Sequence, residues 1–368
     1  MLEQHRVGWG ASGRNGGFVL PGFKPDPDEL IARFGIDRAR QLFRTSLEAI
    51  GFLERVLADE AIECEYGRRG SVTLASRPSH LKALEQTRRT LRARFGHDTV
   101  LLSATEVRGE LDSSHYHGGL LEPAAGCLHP IRYCAGLAAA AARAGAVIVE
   151  GVEVLGVQHE AGEFQLQTSA GPLTAGEVLV ATNGYTGAAF PDLRRRVVPV
   201  GSYVIATAPL TPAEARRLIP NGRVLSDTWN LLHYFRRSDD HRIVFGGRAS
   251  FSPTSIERST RILVRAMRAV FRSLANVPVE FAWSGQICVA RDRMPHAGKL
   301  AGAHYALGYA GHGVALSTWL GARMGDALAG REPMPELTGN PSAIPFYRGR
   351  PWFLPAVGAY YRLKDRLS

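Results

Sequence analysis

The sequence predicts an α/β (α+β) fold in which a buried parallel sheet is interleaved with a second, mainly antiparallel β domain. Three observations carry this. A glycine-rich loop, GWGASGRNGG from Gly8, opens the chain. An alanine-rich helical stretch, Pro130 to Gly145, feeds directly into continuous apolar runs of the kind that a doubly covered parallel strand requires. From Val197 the pattern turns β-rich, and the chain then returns to a strand, glycine loop and helix at His304 to Leu328.

In chain order, Asp37 to Glu60 carries Leu42, Phe43, Leu47, Ile50, Leu53 and Leu57 at three-to-four spacing, which predicts an amphipathic helix N-capped by Asp37. Gly70 to Ala75 is short and β-branched, and predicts a strand. Helical patterns follow at Pro78 to Phe95 and Ala104 to Leu111. After the alanine-rich helix, which a glycine ends, strands are expected at Ala146 to Val149, Val152 to Val157, Glu163 to Thr168 and Glu177 to Thr182. The β-rich part predicts strands at Ser202 to Thr207, His233 to Arg237, Arg242 to Gly247 and Val279 to Val289, with a helix at Thr254 to Leu274 between them. The tail from Arg331 is rich in proline and aromatic residues and ends in a short basic helix.

At 368 residues the chain is expected to form two interleaved domains. Its composition, 45% hydrophobic and 21% charged, is ordinary for a soluble globular protein. It holds no apolar run long enough to span a membrane, and the seven residues before Gly8 lack the apolar stretch of a secretory signal. Cys64, Cys127, Cys134 and Cys288 show neither a CxxC pair nor a histidine at zinc spacing, so no metal is expected, and free thiols in a reduced, cytoplasmic setting are. The net charge of +10 comes mostly from scattered arginines. The densest groups, Arg194 to Arg196 and Arg258 to Arg272, do not make the aromatic-interleaved stripe of a nucleic-acid surface, and nucleic acid is not expected as a partner. A basic balance favours an anionic ligand or acidic substrate.

The glycine loops mark candidate ligand contacts. In Gly308-Tyr309-Ala310-Gly311-His312-Gly313, between a strand and a helix, free backbone N–H groups and the helix dipole make an anion site. In VLVATNG, from Val178, a buried strand leaves in small residues that let a flat ligand approach, a pattern that an ordinary strand exit also gives. These pieces resemble the flavin-dependent amine and D-amino acid oxidase superfamily, and within it the γ-glutamylputrescine oxidoreductase-like group. The likeness runs through GWGASGRNGG at Gly8, GCLHPIRYCAGLAAAAARAGA at Gly126, VLVATNGYTG at Val178, VPVGSYVIAT at Val198, DTWNLLHYFRRSDDHRIVFGGR at Asp227, FAWSGQICVARDRMPHAG at Phe281 and GYAGHGVALSTWLG at Gly308. The tail PFYRGRPWFLP at Pro345 is similar to that group as well.

One departure is large. Members of the superfamily begin with a βαβ unit whose first turn is GxGxxG and whose second strand ends in an acidic residue that accepts hydrogen bonds from the adenosine ribose. No GxGxxG precedes Gly8 here, and Leu2-Glu3-Gln4 matches the end of that second strand. Two explanations stand, a start placed at an internal methionine or a truncated gene, and a shortened reading of an ordinary flavoenzyme is the expectation because every later motif is intact.

The resemblance implies a Rossmann-like FAD-binding domain over 1–67, 123–196 and 284–330, a substrate domain over 68–122 and 197–283, and a tail over 331–368. It places Glu3 on the ribose. Ser12, Arg14, Asn15 and Gly16 fall along the pyrophosphate, ribityl chain and flavin edge. It sets the backbone of Val154 at the adenine, and Thr182 and Asn183 at the strand exit. Gly311, His312, Gly313 and Val314 then present a helix start to the flavin pyrimidine end. Arg14 could equally be a surface ion-pair partner and His312 a loop histidine satisfied by its neighbours; for His312 the strand-loop-helix setting favours the site.

The implied reaction is dehydrogenation of a C–N bond by hydride transfer to the flavin, followed by hydrolysis of the imine. That step asks for positioning more than for a dedicated base. Substrate-side candidates are Tyr234, Arg236, Arg248 and Trp283. Tyr234 and Arg236 stand two apart and so share a sheet face, a spacing that also suits a cross-strand packing pair. Arginine there would take a carboxylate in a bidentate fork, which favours an amino acid or γ-glutamyl amine over a simple polyamine. Two rivals remain open: a dehydrogenase that passes electrons to a carrier or quinone, and a flavin-free remnant that only binds.

Overall fold

The computed structural model describes residues 1–247 and 254–367, with side chains through Asp365. Its largest element is an eight-stranded mixed sheet. In spatial order the strands are Val279–Ala290, Val197–Thr207, Ile243–Gly247, His233–Arg237, Val224–Asp227, Ser71–Leu74, Gly118–Glu122 and Val100–Ser103. Every junction is antiparallel except one. Val224–Asp227 runs parallel to Ser71–Leu74, in the register Leu225 to Val72, and so joins the early strands to the late ones. The expected antiparallel β layer is therefore present as one sheet.

One face of that sheet is covered by the helix Ile256–Val270, whose buried Leu263, Met267 and Val270 recur at helical spacing and meet Phe235, Phe245 and Phe271. Its opposite side carries Arg258, Arg261, Arg265 and Arg268 in solvent, so this dense arginine group is a solvated helix face. A second core lies between the 24-residue helix Ile36–Asp59 and the helix Gly313–Leu328. Leu42, Ala49, Ile50 and Leu53 interlock there with Leu316, Leu320 and Met324. Each such buried leucine contributes about 2 kcal/mol of apolar burial.

Several boundaries differ from the expectation, each for a local reason. The long helix is capped by Gly35 at φ 74°, which leaves Asp37 inside the first turn. The helix expected over Ala104 to Leu111 is one turn, Ala104–Val107, held by a capping box between Ser103 and Glu106 and interrupted by Gly109. The helical stretch Pro78–Thr90 ends in a π turn at Leu91–Phe95 and stops at Gly96 in the left-handed region. The Ala146 to Val149 strand shrinks to Val149–Glu150, paired in parallel with Leu2–Glu3. Leu179–Val180 likewise pairs in parallel with Ala303–Leu307, but in a separate sheet. Parallel pairing is thus as expected, whereas full burial is not: Val147 is 72% exposed and Leu179 is 37% exposed. Residues 154–175 instead form a three-stranded antiparallel meander that encloses Phe164 and Leu166.

Among the described residues no helix is long and apolar enough to cross a membrane, and no group of histidine, cysteine and acidic side chains is arranged to hold a metal. All four cysteines are free.

Candidate active site

The opening glycine loop folds into the single turn Ala11–Arg14, which lies against the start of the alanine-rich helix and against the strand Val279–Ala290. Its glycines are dictated by protein neighbours. A Cβ on Gly13 would overlap the Gly8 carbonyl oxygen, and one on Gly17, at φ 79°, would overlap the Leu128 carbonyl. One on Gly16 would stand 2.8 Å from the Tyr234 ring. The loop therefore approaches backbone on its packed side as closely as it was expected to approach a ligand.

Asn15 closes this turn. Its amide nitrogen donates to the carbonyls of Ala11 (3.0 Å) and Ser12 (2.7 Å), while its oxygen accepts from Gly17 N (2.7 Å). Both ends of the side chain are engaged, which leaves only its backbone for a ligand. Ser12, by contrast, is exposed. Arg14 donates through Nη1 to the Ser284 carbonyl (3.0 Å) and lies 4.3 Å over the Trp9 ring. It forms no ion pair among the described residues, so the surface ion-pair alternative finds no support. In return, Trp283 Nε1 donates to the Arg14 carbonyl (2.9 Å).

Tyr234 and Arg236 do share a face, and both meet the loop at Gly16. The Tyr234 ring packs on Gly16 and Gly246 and edge-on to Phe18, and its hydroxyl is hydrogen-bonded to Ser202 Oγ at 3.0 Å. Arg236 is only 6% exposed, and its Nε donates to the Gly16 carbonyl (2.8 Å). Its two terminal amino groups have no carboxylate among the described residues. A guanidinium held through Nε by one neutral acceptor keeps its outer N–H groups available to an anion. Beside it, burial pushes the Cys127 thiol upward and holds the His129 imidazole below its usual value. Arg248 lies outside the described residues.

The second and third glycine segments meet each other. Asn183, at φ 46°, accepts a hydrogen bond from Gly308 N at 3.1 Å, which ties the exit of Leu179–Val180 to the loop after Ala303–Leu307. Thr182 is exposed and bonds Thr186 across one turn at 2.9 Å. In the loop itself, Gly308, Ala310 and Gly311 all take positive φ, and the Cβ direction of Gly311 faces open space. His312 is the N-cap of the 16-residue helix Gly313–Leu328 but makes no side-chain cap. Its Nδ1 is shut off from solvent without a partner, and burial, aided by the Lys24 cation, pushes the imidazole down to about 3. Both effects favour the neutral imidazole. Val314 packs its side chain into the core below.

Glu3 sits at the other end. Its Oε1 accepts from His5 N at 2.9 Å, and its register partner across the parallel pair is Glu150, whose Oε1 accepts from Val7 N at 2.7 Å. Val154 begins the antiparallel meander, opposite Thr168. Two contributors escaped the sequence reading. Glu150 is one; the other is Tyr185, whose ring supports Gly10 and whose hydroxyl accepts from Gln286 N at 3.0 Å. The only signal for Tyr185 was its place in the NGYTG stretch, and for Glu150 its place after an apolar run.

The residues present fit a dinucleotide. The helix start after His312 has no side-chain cap, the Gly311 before it faces open space, and the His312 Nδ1 lacks a partner. FAD is the group that the comparisons assign. A family described as FAD dependent oxidoreductase, abbreviated DAO, matches residues 1–327. A probable oxidoreductase OrdL of Haemophilus influenzae is 34% identical over 336 residues, covering 90% of this chain and 77% of that protein. The gamma-glutamylputrescine oxidoreductase of Escherichia coli is 33% identical over 374 residues, covering 100% of this chain and 87% of that protein. Among solved structures, glycine oxidase from Geobacillus kaustophilus aligns with a TM-score of 0.74 at 19% identity, covering 95% of this chain and 91% of that one. Iminodiacetate oxidase from Chelativorans sp. BNC1 aligns at 0.71 and 20% identity, covering 93% of each chain. This chain belongs to the DAO family and is an FAD-dependent oxidoreductase.

Proposed function

We propose that this chain dehydrogenates the C–N bond of an amine or amino acid that carries a carboxylate, such as a γ-glutamyl amine or a D-amino acid. The observation that carries this reading is Arg236, a buried guanidinium at the glycine loop with its Nε on the Gly16 carbonyl and its amino groups free of any carboxylate among the described residues. A planar fork in that setting binds a carboxylate in two parallel hydrogen bonds. The name of the Escherichia coli relative, gamma-glutamylputrescine oxidoreductase, is in keeping with such a substrate.

Bound FAD supplies the two-electron acceptor that takes the hydride from the carbon next to a neutral amine nitrogen. The chain's own residues do the positioning. Arg236 fixes the carboxylate, so that the carbon to be oxidised is presented in one orientation, and Trp283 and Tyr234 hold the glycine loop from the sheet side. The amine proton leaves as the C–N bond becomes an imine, and water then hydrolyses it to a carbonyl compound and a free amine. Glu3, Ser12, Arg14, Gly16, Val154, Thr182 and Asn183 line the cofactor's path in this reading, with the Asn15 side chain as a brace. The neutral His312 and the helix start at Gly311, Gly313 and Val314 offer N–H groups to a developing negative charge. The discontinuous segments 1–67, 123–196 and 284–330 form the cofactor side, and 68–122 with 197–283 the substrate side.

The test uses the purified chain, its bound FAD measured by absorbance and its turnover assayed on γ-glutamylputrescine, D-amino acids and putrescine. Arg236→Gln is expected to raise KM for the carboxylate substrates about a hundredfold, the loss of a bidentate charge-assisted pair, with putrescine turnover little changed. A folded but colourless protein, or an equal loss on all substrates, overturns the proposal. Oxygen consumption during turnover reports whether oxygen or another carrier receives the electrons.

A further inference from the structure

The tail builds an aromatic and cationic patch that the oxidoreductase reading does not use. Phe346 and Trp352 line one cavity of about 420 Å³ together with Arg194, Arg348 and Arg350. Phe346 is 93% exposed and Trp352 is 69% exposed. Exposed apolar side chains set side by side mark an interaction site, whereas single ones do not.

The fold presents these side chains; they are not loose ends. Phe346 takes φ 57°, a left-handed conformation that is uncommon for a bulky residue, and its neighbour Tyr347 is buried with its hydroxyl on the Val197 carbonyl at 3.0 Å. The anchoring of Tyr347 turns Phe346 outward. Arg194 packs across the backbone of Gly349, at φ 92°, where any side chain would collide with it. None of Arg194, Arg348 and Arg350 forms an ion pair among the described residues. Three uncompensated guanidinium groups therefore surround two outward rings. Beyond them the final helix, Leu354–Leu367, also exposes Tyr360 and Leu363 beside Arg362 and Lys364.

We infer that this patch docks the protein on an anionic lipid surface, with Phe346 and Trp352 entering the headgroup boundary and the arginines meeting lipid phosphates. Charge complementarity selects the occupant. Cations alone would suit an acidic protein, but aromatic rings standing clear among cations match the composition of an interfacial anchor. The basic face of Ile256–Val270, which carries Arg265 and Arg268, supplies charge without aromatic residues, and serves as the control surface.

The full chain, with its bound cofactor, is sedimented with vesicles of phosphatidylglycerol and phosphatidylcholine, and with phosphatidylcholine alone, at low and high salt. Sedimentation with the anionic vesicles only, reversed by salt, is expected. Arg348→Glu with Arg350→Glu should weaken it at least about tenfold, and Phe346→Ser with Trp352→Ser by a similar factor. Arg265→Glu with Arg268→Glu should leave it intact. Thermal midpoint and bound flavin, read on each variant, separate a lost patch from a lost fold, and they move independently of substrate preference. Absence of vesicle binding overturns the inference, as does binding that survives the tail variants or is lost only in the control variant. Binding lost with the arginines but not with the aromatics reduces the patch to plain charge adsorption and overturns the insertion. Capture by poly-glutamate in place of vesicles would assign the patch to an acidic protein.

Discussion

Trp283 Nε1 donates to the carbonyl of Arg14 at 2.9 Å, and Arg14 Nη1 donates back to the carbonyl of Ser284 at 3.0 Å. Two reciprocal bonds thus fasten the glycine loop to the last long strand of the sheet. Trp283→Phe keeps an aromatic ring, though a smaller one, and removes the donor, leaving the Arg14 carbonyl short of a partner. A penalty of about 1 kcal/mol is expected, read as roughly fivefold weaker FAD binding by flavin fluorescence titration. An unchanged dissociation constant would show that the loop is held without this pair.

Gly13→Ala tests the packing side of the same loop. Its Cβ would overlap the Gly8 carbonyl, a backbone atom with no rotamer to retreat into. Overpacking of this kind costs about 1–3 kcal/mol, so both the thermal midpoint and the retained flavin should fall together. A variant as stable and as yellow as the parent would mean that the loop has room to shift.

His312 sets a pH dependence. Burial and then the Lys24 cation push its imidazole from 6.5 down to about 3 in the folded protein. The folded value is the lower one, so as pH falls the unfolded chain takes up the proton first. The contribution is whole above pH 6.5 and is lost progressively towards pH 3, at up to about 1.4 kcal/mol per pH unit. Urea unfolding at pH 7, 6 and 5 should show the parent losing stability faster than His312→Gln. Parallel slopes would contradict the assignment.

Asp365 latches the final helix. Its carboxylate accepts from Asn230 N (3.0 Å), Asn230 Nδ2 (2.5 Å) and Leu231 N (3.3 Å), just before the strand that carries Tyr234 and Arg236. Asp365→Ala removes charge-assisted bonds that together hold about 2 kcal/mol. Limited proteolysis should then cut the irregular segment 331–353 faster than in the parent, as seen by mass of the fragments. Equal cleavage rates would place the anchorage elsewhere, on the buried Tyr347 and Leu354.

The sequence by itself determined the kinds of elements and the family, because both rest on local chemistry. Three-to-four spacing placed Leu42, Ile50 and Leu53 on one helical face, glycine and proline marked the ends, and seven collinear motifs carried the resemblance. Strands Glu163–Thr168 and His233–Arg237 and the helix Gly313–Leu328 lie where those patterns put them. Tertiary structure decided what each polar side chain does. Asn15 is consumed by its own turn, Arg236 is buried against Gly16 without a carboxylate, and Glu150 lies beside Glu3 through a parallel pairing between distant segments. No local pattern announces these, since a hydrogen-bond partner or a neighbouring charge is supplied by chain brought in from elsewhere. Burial acts in the same way: the apolar runs at Val147 and Leu179 read as core, yet their exposure depends on what the fold lays over them.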